Sequence, residues 1–187
     1  MNLVICGMKH CGKSTHGRFI ARKLSCPFID TDELLEAKYF ELEKNPLNSR
    51  EIYNLNGEDY FRSLEADVIH SLVAEKDEDK TQVIALGGGV PSNPQLGPEL
   101  KKLGRFIYIK NEPPVLFKRI AAKGLPKFLQ GEKPYEKFLQ LYYERERRYI
   151  ELADLTVEFA KDVPVKEAGY IILAQIEEKV NEWQHLR

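Results

Sequence analysis

The sequence contains no apolar run near the roughly 20 residues that a membrane-spanning helix requires. The apolar stretch at its start, Leu3 to Cys6, passes directly into a glycine-bearing turn, so the expectation is a chain neither secreted nor anchored. An excess of one charge is also missing. Lys and Arg number 28 against 29 Asp and Glu, a net charge of −1, which leaves no global basic field for gripping nucleic acid. Cysteine is sparse: Cys6, Cys11 and Cys26 are odd in number and lack a zinc-type spacing. Reduced thiols in a cytoplasmic protein are the expectation, with Cys6 a small core residue. Internal repeats, low-complexity tracts and linkers are absent. At 187 residues the chain reads as one domain, long enough to bury a substantial core.

What is present begins at residue 7. Gly7-Met8-Lys9-His10-Cys11-Gly12-Lys13-Ser14-Thr15 fits G-x-x-x-x-G-K-[ST], set between a short buried strand and a helix as a phosphate-binding loop requires. Four residues between the glycines let backbone N–H groups turn inward around a phosphate, and the helix that follows points its positive dipole end at the same place. Lys13 would reach the β- and γ-phosphate oxygens, and the Ser14 hydroxyl would ligate Mg²⁺. Lys9, His10 and Cys11 occupy the variable part of the loop, where a solvated side chain is expected. His10 and Cys11 alone make at most half of a tetrahedral metal set.

Further along, Phe28-Ile29 forms a very short strand that exits into Asp30-Thr31-Asp32 and a helical pattern through Leu34, Leu35 and Ala37. Carboxylates at a strand exit lie where parallel α/β sheets place ligands, and the same residues also suit helix capping. Residues 45–56 suggest a short surface helix, and Gly57 opens a longer one with Phe61, Leu64, Val68, Ile69 and Leu72 on its apolar stripe. Arg62 either clamps an anionic ligand or pairs with Glu58 or Glu65 on the helix surface, and spacing alone favours the pair. The strand at residues 82–86 runs into Gly87-Gly88-Gly89. Three consecutive glycines carry a large entropic cost that a plain turn does not demand, whereas close backbone approach to a ligand or to the phosphate loop does.

A helix is expected after Pro94 or Pro98, then a buried strand at residues 106–109 and a helix after Pro113-Pro114. Residues 122–134, with two glycines and a proline before Pro134, suit either a mobile flap or an ordinary surface loop. A long helix from Tyr135 carries Arg145 on its apolar side, where a cation requires a partner, with Arg147 and Arg148 nearer solvent. A last strand at residues 155–159 and a helix at residues 165–183 close the chain.

The phosphate loop, Asp30-x-Asp32, Gly57-Glu58-x-x-Phe61-Arg62-x-x-Glu65, the glycine triplet and Arg145-x-x-x-Tyr149-x-x-x-Ala153 occur in that order. In this set the chain resembles the shikimate kinases over nearly its whole length. The resemblance implies a three-layer α/β/α P-loop fold with a five-stranded parallel sheet in the order 2-3-1-4-5, a lid at about residues 122–134 and substrate-binding helices at about residues 31–75. It implies transfer of the ATP γ-phosphoryl to the 3-hydroxyl of shikimate, a step of chorismate and aromatic amino acid biosynthesis, in a monomer dependent on ATP and Mg²⁺. Carried over by position, Lys13 and Asp32 would be catalytic, Asp32 binding substrate hydroxyls and acting as base. Gly7, Gly12, Lys13, Ser14 and Thr15 would hold the nucleotide, Arg119 would stack on adenine, and Ser14 and Asp30 would serve the metal, Asp30 through water. Arg62 and Arg145 would grip the shikimate carboxylate, and Gly87, Gly88 and Gly89 would hold its ring.

Two departures stand out. The family usually has glycine where His10 stands, and an arginine directly before the flap proline, where this chain has Leu125. That arginine stabilises transition-state charge, and Lys123 or Lys127 are its candidate substitutes, without a bidentate fork. Two other functions fit the same motifs: a gluconate-kinase-like enzyme for another small hydroxy acid, and a catalytically weak nucleotide-binding regulatory module.

Overall fold

The computed structural model describes residues 1–185. Its centre is a five-stranded parallel sheet in the order β2-β3-β1-β4-β5, flanked by helices in a three-layer α/β/α arrangement. The strands are β1 (Leu3–Cys6), β2 (Phe28–Asp30), β3 (Val83–Ala85), β4 (Arg105–Asn111) and β5 (Leu155–Phe159). The innermost ones are unbroken apolar runs because helices cover both faces of a parallel sheet. Leu3, Val4, Ile5 and Cys6 are buried throughout, with Ile5 registered between Ala85 and Ile107. β1 therefore lies at the point where the chain's progress across the sheet reverses, and ligands bind in the crevice beyond the strand ends at such a point.

α1 (Lys13–Lys23) leaves β1 through the loop, and α6 (Val165–His185) packs beside it, with Gly169 admitting the Phe19 ring. α2 (Thr31–Glu43) follows β2 without a gap, as α4 (Pro113–Ala122) and α5 (Pro134–Leu152) follow their prolines. Asp30 is the N-cap of α2, its carboxylate accepting from the Asp32 N–H at 3.1 Å. Capping and a place in the cleft are thus both realised at this strand exit.

The two helices anticipated on either side of Gly57 both form; they are taken together as α3 (Ser49–Ala74) and are parted by a kink at Gly57, whose φ of 85° and ψ of 177° are non-helical. Two other expectations need correction. The first segment of α3 is more than a surface helix, because Ile52 is fully buried. An Asn48–Glu51 capping box starts it, each side chain satisfying the other's backbone N–H. The helix expected after Pro94 or Pro98 is a 3₁₀ segment, Gly97–Leu103. The 123–133 connection carries a 3₁₀ turn, Lys127–Leu129, and buries Leu129 in the main core, so its middle is anchored.

The core has two parts. One surrounds the sheet. The other, made by Leu35, Tyr39, Ile52, Phe61, Leu64 and Val68, lies between α2 and α3, and Leu72 touches both. Among the described residues no helix is long and apolar enough to cross a membrane.

Candidate active site

The turn after β1 is shaped by three positive φ values, Gly7 at 144°, His10 at 66° and Gly12 at 100°. A side chain at Gly7 would run into the Ile109 carbonyl oxygen at 2.7 Å, a backbone atom that cannot move aside. His10 adopts the left-handed conformation that glycine takes easily, at a cost of about 1–2 kcal/mol. Lys13 Nζ lies over the turn, donating to the carbonyls of Gly7 at 3.0 Å and Met8 at 3.1 Å. The expectation of solvated side chains at residues 9–11 fails for Cys11, which is buried, and for His10, which is half-buried. Burial, together with the charges of Lys9, Lys123, Lys13 and Arg119, lowers the His10 pKa to about 4, so the imidazole is neutral at pH 7.

Beyond the turn lies a cleft of about 810 Å³ whose lining includes Lys13, Ser14, Thr15, Asp30, Asp32 and Arg119. Ser14 Oγ donates to Asp30 Oδ2 at 2.6 Å, which sets a hydroxyl and a carboxylate oxygen side by side next to the loop. Such hard oxygens suit Mg²⁺, which keeps several waters and takes one or two protein ligands plus phosphate oxygens. No cluster of three or more His, Cys, Asp or Glu that could hold a metal occurs among the described residues. Arg119 Nη1 donates to the His10 carbonyl at 3.1 Å and its Nη2 pairs with Asp162, so Arg119 forms the far wall of the same cleft.

The glycine triplet gathers the other residues. A Cβ on Gly87 would strike Asp32 Oδ1 at 2.6 Å, one on Gly88 would lie 3.8 Å from Arg145 Nη1 and 3.6 Å from the Gly7 oxygen, and one on Gly89 would overlap the Arg62 guanidinium. Each glycine thus makes room for a different predicted side chain, and the middle one abuts the phosphate loop. The triplet is fixed from behind: Gly87 N–H donates to Thr31 Oγ1 at 2.8 Å, and the Tyr149 hydroxyl donates to the Gly88 carbonyl at 2.7 Å.

Asp32 sits at the cleft floor, open to solvent but walled by protein. Burial raises its pKa and outweighs the attraction of Lys13, while Asp30 pushes the same way as burial and Lys9 opposes. Arg62 pairs with Glu65 at 2.9 Å and more loosely with Glu58 at 3.5 Å. The pair is not the surface contact that spacing suggested, for the two side chains are 14% and 5% exposed. Glu65 also accepts from Asn93 Nδ2 at 3.0 Å, which locks Arg62 toward Gly89. Burial raises the Glu65 pKa against the pull of Arg62. Arg145 forms no ion pair among the described residues, and the Tyr149 hydroxyl is its hydrogen-bonding neighbour. The partner expected for this cation is therefore neutral.

From the sequence, Lys9 reads only as a solvated loop side chain, and Asn93 is passed over. Lys9 feels Asp32, Arg50, Lys13 and Arg145, and burial lowers its pKa first of all. Its place in the loop was the available signal. Asn93 carried none, because its role depends on a turn that swings it back to Glu65.

A family model described as shikimate kinase matches residues 9–179. The shikimate kinase of Caldanaerobacter subterraneus subsp. tengcongensis is 34% identical over 178 residues, covering 95% of this chain and 98% of that protein. Among solved structures, the shikimate kinase from Acinetobacter baumannii in complex with shikimate superposes with a TM-score of 0.78 at 27% identity, covering 95% of this chain and 94% of the other. The shikimate kinase from Aquifex aeolicus gives 0.70 at 27% identity, covering 96% and 98%.

Proposed function

Because the chain belongs to the shikimate kinase family, we propose that it transfers the γ-phosphoryl group of ATP to the 3-hydroxyl of shikimate. The observation that carries this reading is the glycine triplet, whose three members meet Asp32, Arg145 and Arg62 in turn while Gly88 adjoins Gly7 of the phosphate loop. An acceptor held there lies beside a nucleotide held by the loop.

Phosphoryl transfer needs positioning and charge neutralisation more than covalent help. Loop N–H groups and Lys13 would hold the phosphates, Lys13 exchanging its two carbonyl partners for phosphate oxygens. Ser14 directly and Asp30 through water would hold Mg²⁺, which would supply neutralisation of the phosphate charge. Arg145, with a neutral tyrosine rather than an acid beside it, and Arg62, steered by Glu65, would grip the acceptor carboxylate. The acceptor hydroxyl would then point at Asp32, and the raised pKa of this carboxylate strengthens it as a base. Arg119 would border the adenine, and residues 122–134 would serve as the lid.

The test is ATP consumption dependent on added shikimate, with gluconate as the rival acceptor and Asp32→Asn as the control. Turnover with shikimate and a loss of about 10²-fold or more in Asp32→Asn are expected, the range for removing a general base. Equal turnover with gluconate would overturn the acceptor assignment. ATP binding without turnover on either would leave a nucleotide-binding module.

A further inference from the structure

Arg50 Nη2 donates to the Leu125 carbonyl at 3.1 Å, joining residues 75 positions apart, and each stands close to a lining residue of the cleft, Leu125 two positions from Lys123 in the chain and Arg50 near enough for its charge to act on Lys9. Arg50 belongs to the first turn of α3, and Leu125 to the connection between α4 and α5. Among the described residues no other hydrogen bond ties that connection to α2 or α3.

The placement of Arg50 is fixed from below. The Asn48 carboxamide accepts from the N–H groups of Arg50 and Glu51, both at 3.1 Å. Ser49 donates to Glu36 Oε1 through its N–H at 2.7 Å and its hydroxyl at 2.9 Å, and its hydroxyl approaches the Asp32 carbonyl at 3.5 Å. The first turn of α3 is therefore clamped onto the first two turns of α2, beside Asp32. Arg50 rises from that platform, and its charge is felt at Lys9 in the phosphate loop.

Leu125 is held differently. Its carbonyl already accepts from Gln130 Nε2 at 2.9 Å inside the connection, so the Arg50 bond is an added tie. Gly124 has φ +88° with open space around it, and Gly131 has φ +93° with only the Lys137 amine near. Both glycines serve their backbone conformation rather than tight packing, and they stand at either end of the segment as pivots.

We propose that Arg50 is a positioning residue that latches the 123–133 segment over the cleft and keeps a guanidinium at its mouth. The inference rests on the kinase reading for its catalytic consequence and on geometry alone for the latch. It differs from substitution by Lys123 or Lys127, since the cation comes from the acceptor side of the cleft. Leu125 offers no charge of its own, but its backbone oxygen anchors one reaching across. A planar fork can hold a carbonyl with one arm and leave the other donors for an anion below.

The experiment compares the wild-type chain with Arg50→Ala and Arg50→Lys, by steady-state kinetics and by hydrogen exchange over residues 123–133. Arg50→Ala is expected to lower kcat/KM for shikimate at least 10-fold, mainly in kcat, with the unfolding midpoint unchanged. Exchange in the segment should rise at least 5-fold, and Arg50→Lys should recover part of both losses, since an ammonium can still donate to the carbonyl. Unchanged exchange in Arg50→Ala would overturn the latch whatever the activity. Faster exchange with wild-type kcat and KM would overturn its role in turnover. A wild-type chain inactive on shikimate would instead end the functional reading and leave the exchange result to decide the latch.

Discussion

At Asp32 the demands of folding and of chemistry oppose each other. Its pKa lies above the ordinary 3.8 because burial and the neighbouring Asp30 outweigh Lys13 and Lys9. A carboxyl with a raised folded-state pKa holds its proton longer when folded than when unfolded. Stability therefore falls as pH rises from the unfolded pKa through the folded one, and above both the full cost of the ionised form is present. Asp32→Asn removes that cost. The variant is expected to unfold at a higher temperature than the wild type at pH 7, and the difference should vanish as pH falls below 3.8. Thermal unfolding across pH checks this, and a variant less stable at pH 7 would contradict it. The same substitution abolishes the proposed base, so stability should rise as activity falls. The motif identified this carboxylate in the sequence. The sign of its pKa shift was not legible there, because it depends on walls contributed by distant residues.

At the level of elements, the strands were legible because β1, β3 and β4 are short apolar runs, which a parallel sheet covered on both faces requires, whereas their order came from the family resemblance alone. The glycine triplet was legible as a close approach, though spacing could not say what approached. The structure supplies a different side chain for each member. What escaped were contacts made by element junctions: the burial of Glu65, the return of Asn93 to it, and the reach of Arg50 to Leu125. Glycines offer a clean test of site against scaffold. Gly89→Ala would crowd the guanidinium of Arg62, the far end of a flexible side chain, so the fold should survive with a smaller stability loss than a clash with backbone brings. The KM for shikimate should rise several-fold as Arg62 is displaced. Gly104→Ala would instead press on the Asn2 backbone carbonyl, which cannot rotate away, and overpacking of this kind costs about 1–3 kcal/mol. That variant should lose stability while keeping its KM. Denaturant unfolding and kinetics on both proteins separate the cases, and a stability loss in Gly89→Ala equal to that in Gly104→Ala would erase the distinction.

For the whole molecule, the division of the core has a dynamic consequence. The sheet core draws on α1, β1, β3, β4, β5, α4, α5 and α6 and takes Ala66 and Ile69 from α3, whereas α2 and the other face of α3 share a separate cluster, with Leu72 touching both. α2 and α3 also carry Asp32, Arg62 and the Arg50 platform, so the smaller core supports the acceptor side of the cleft and the larger one the phosphate loop. An element with fewer buried contacts opens at lower free energy than the central strands. Amide exchange without ligand should be faster over residues 31–74 than over β1, β3 and β4. A ligand that spans both parts makes opening of the weaker one costlier, by an amount set by its concentration relative to Kd. Adding shikimate with a non-hydrolysable ATP analogue should therefore slow exchange most over residues 31–74 and 123–133, leaving the central strands nearly unchanged. The nucleotide analogue alone should protect residues 7–16 and do little for α2. Uniform protection across the sheet and the α2–α3 pair would mean that the two cores open as one, and that the cleft closes without relative movement of its walls.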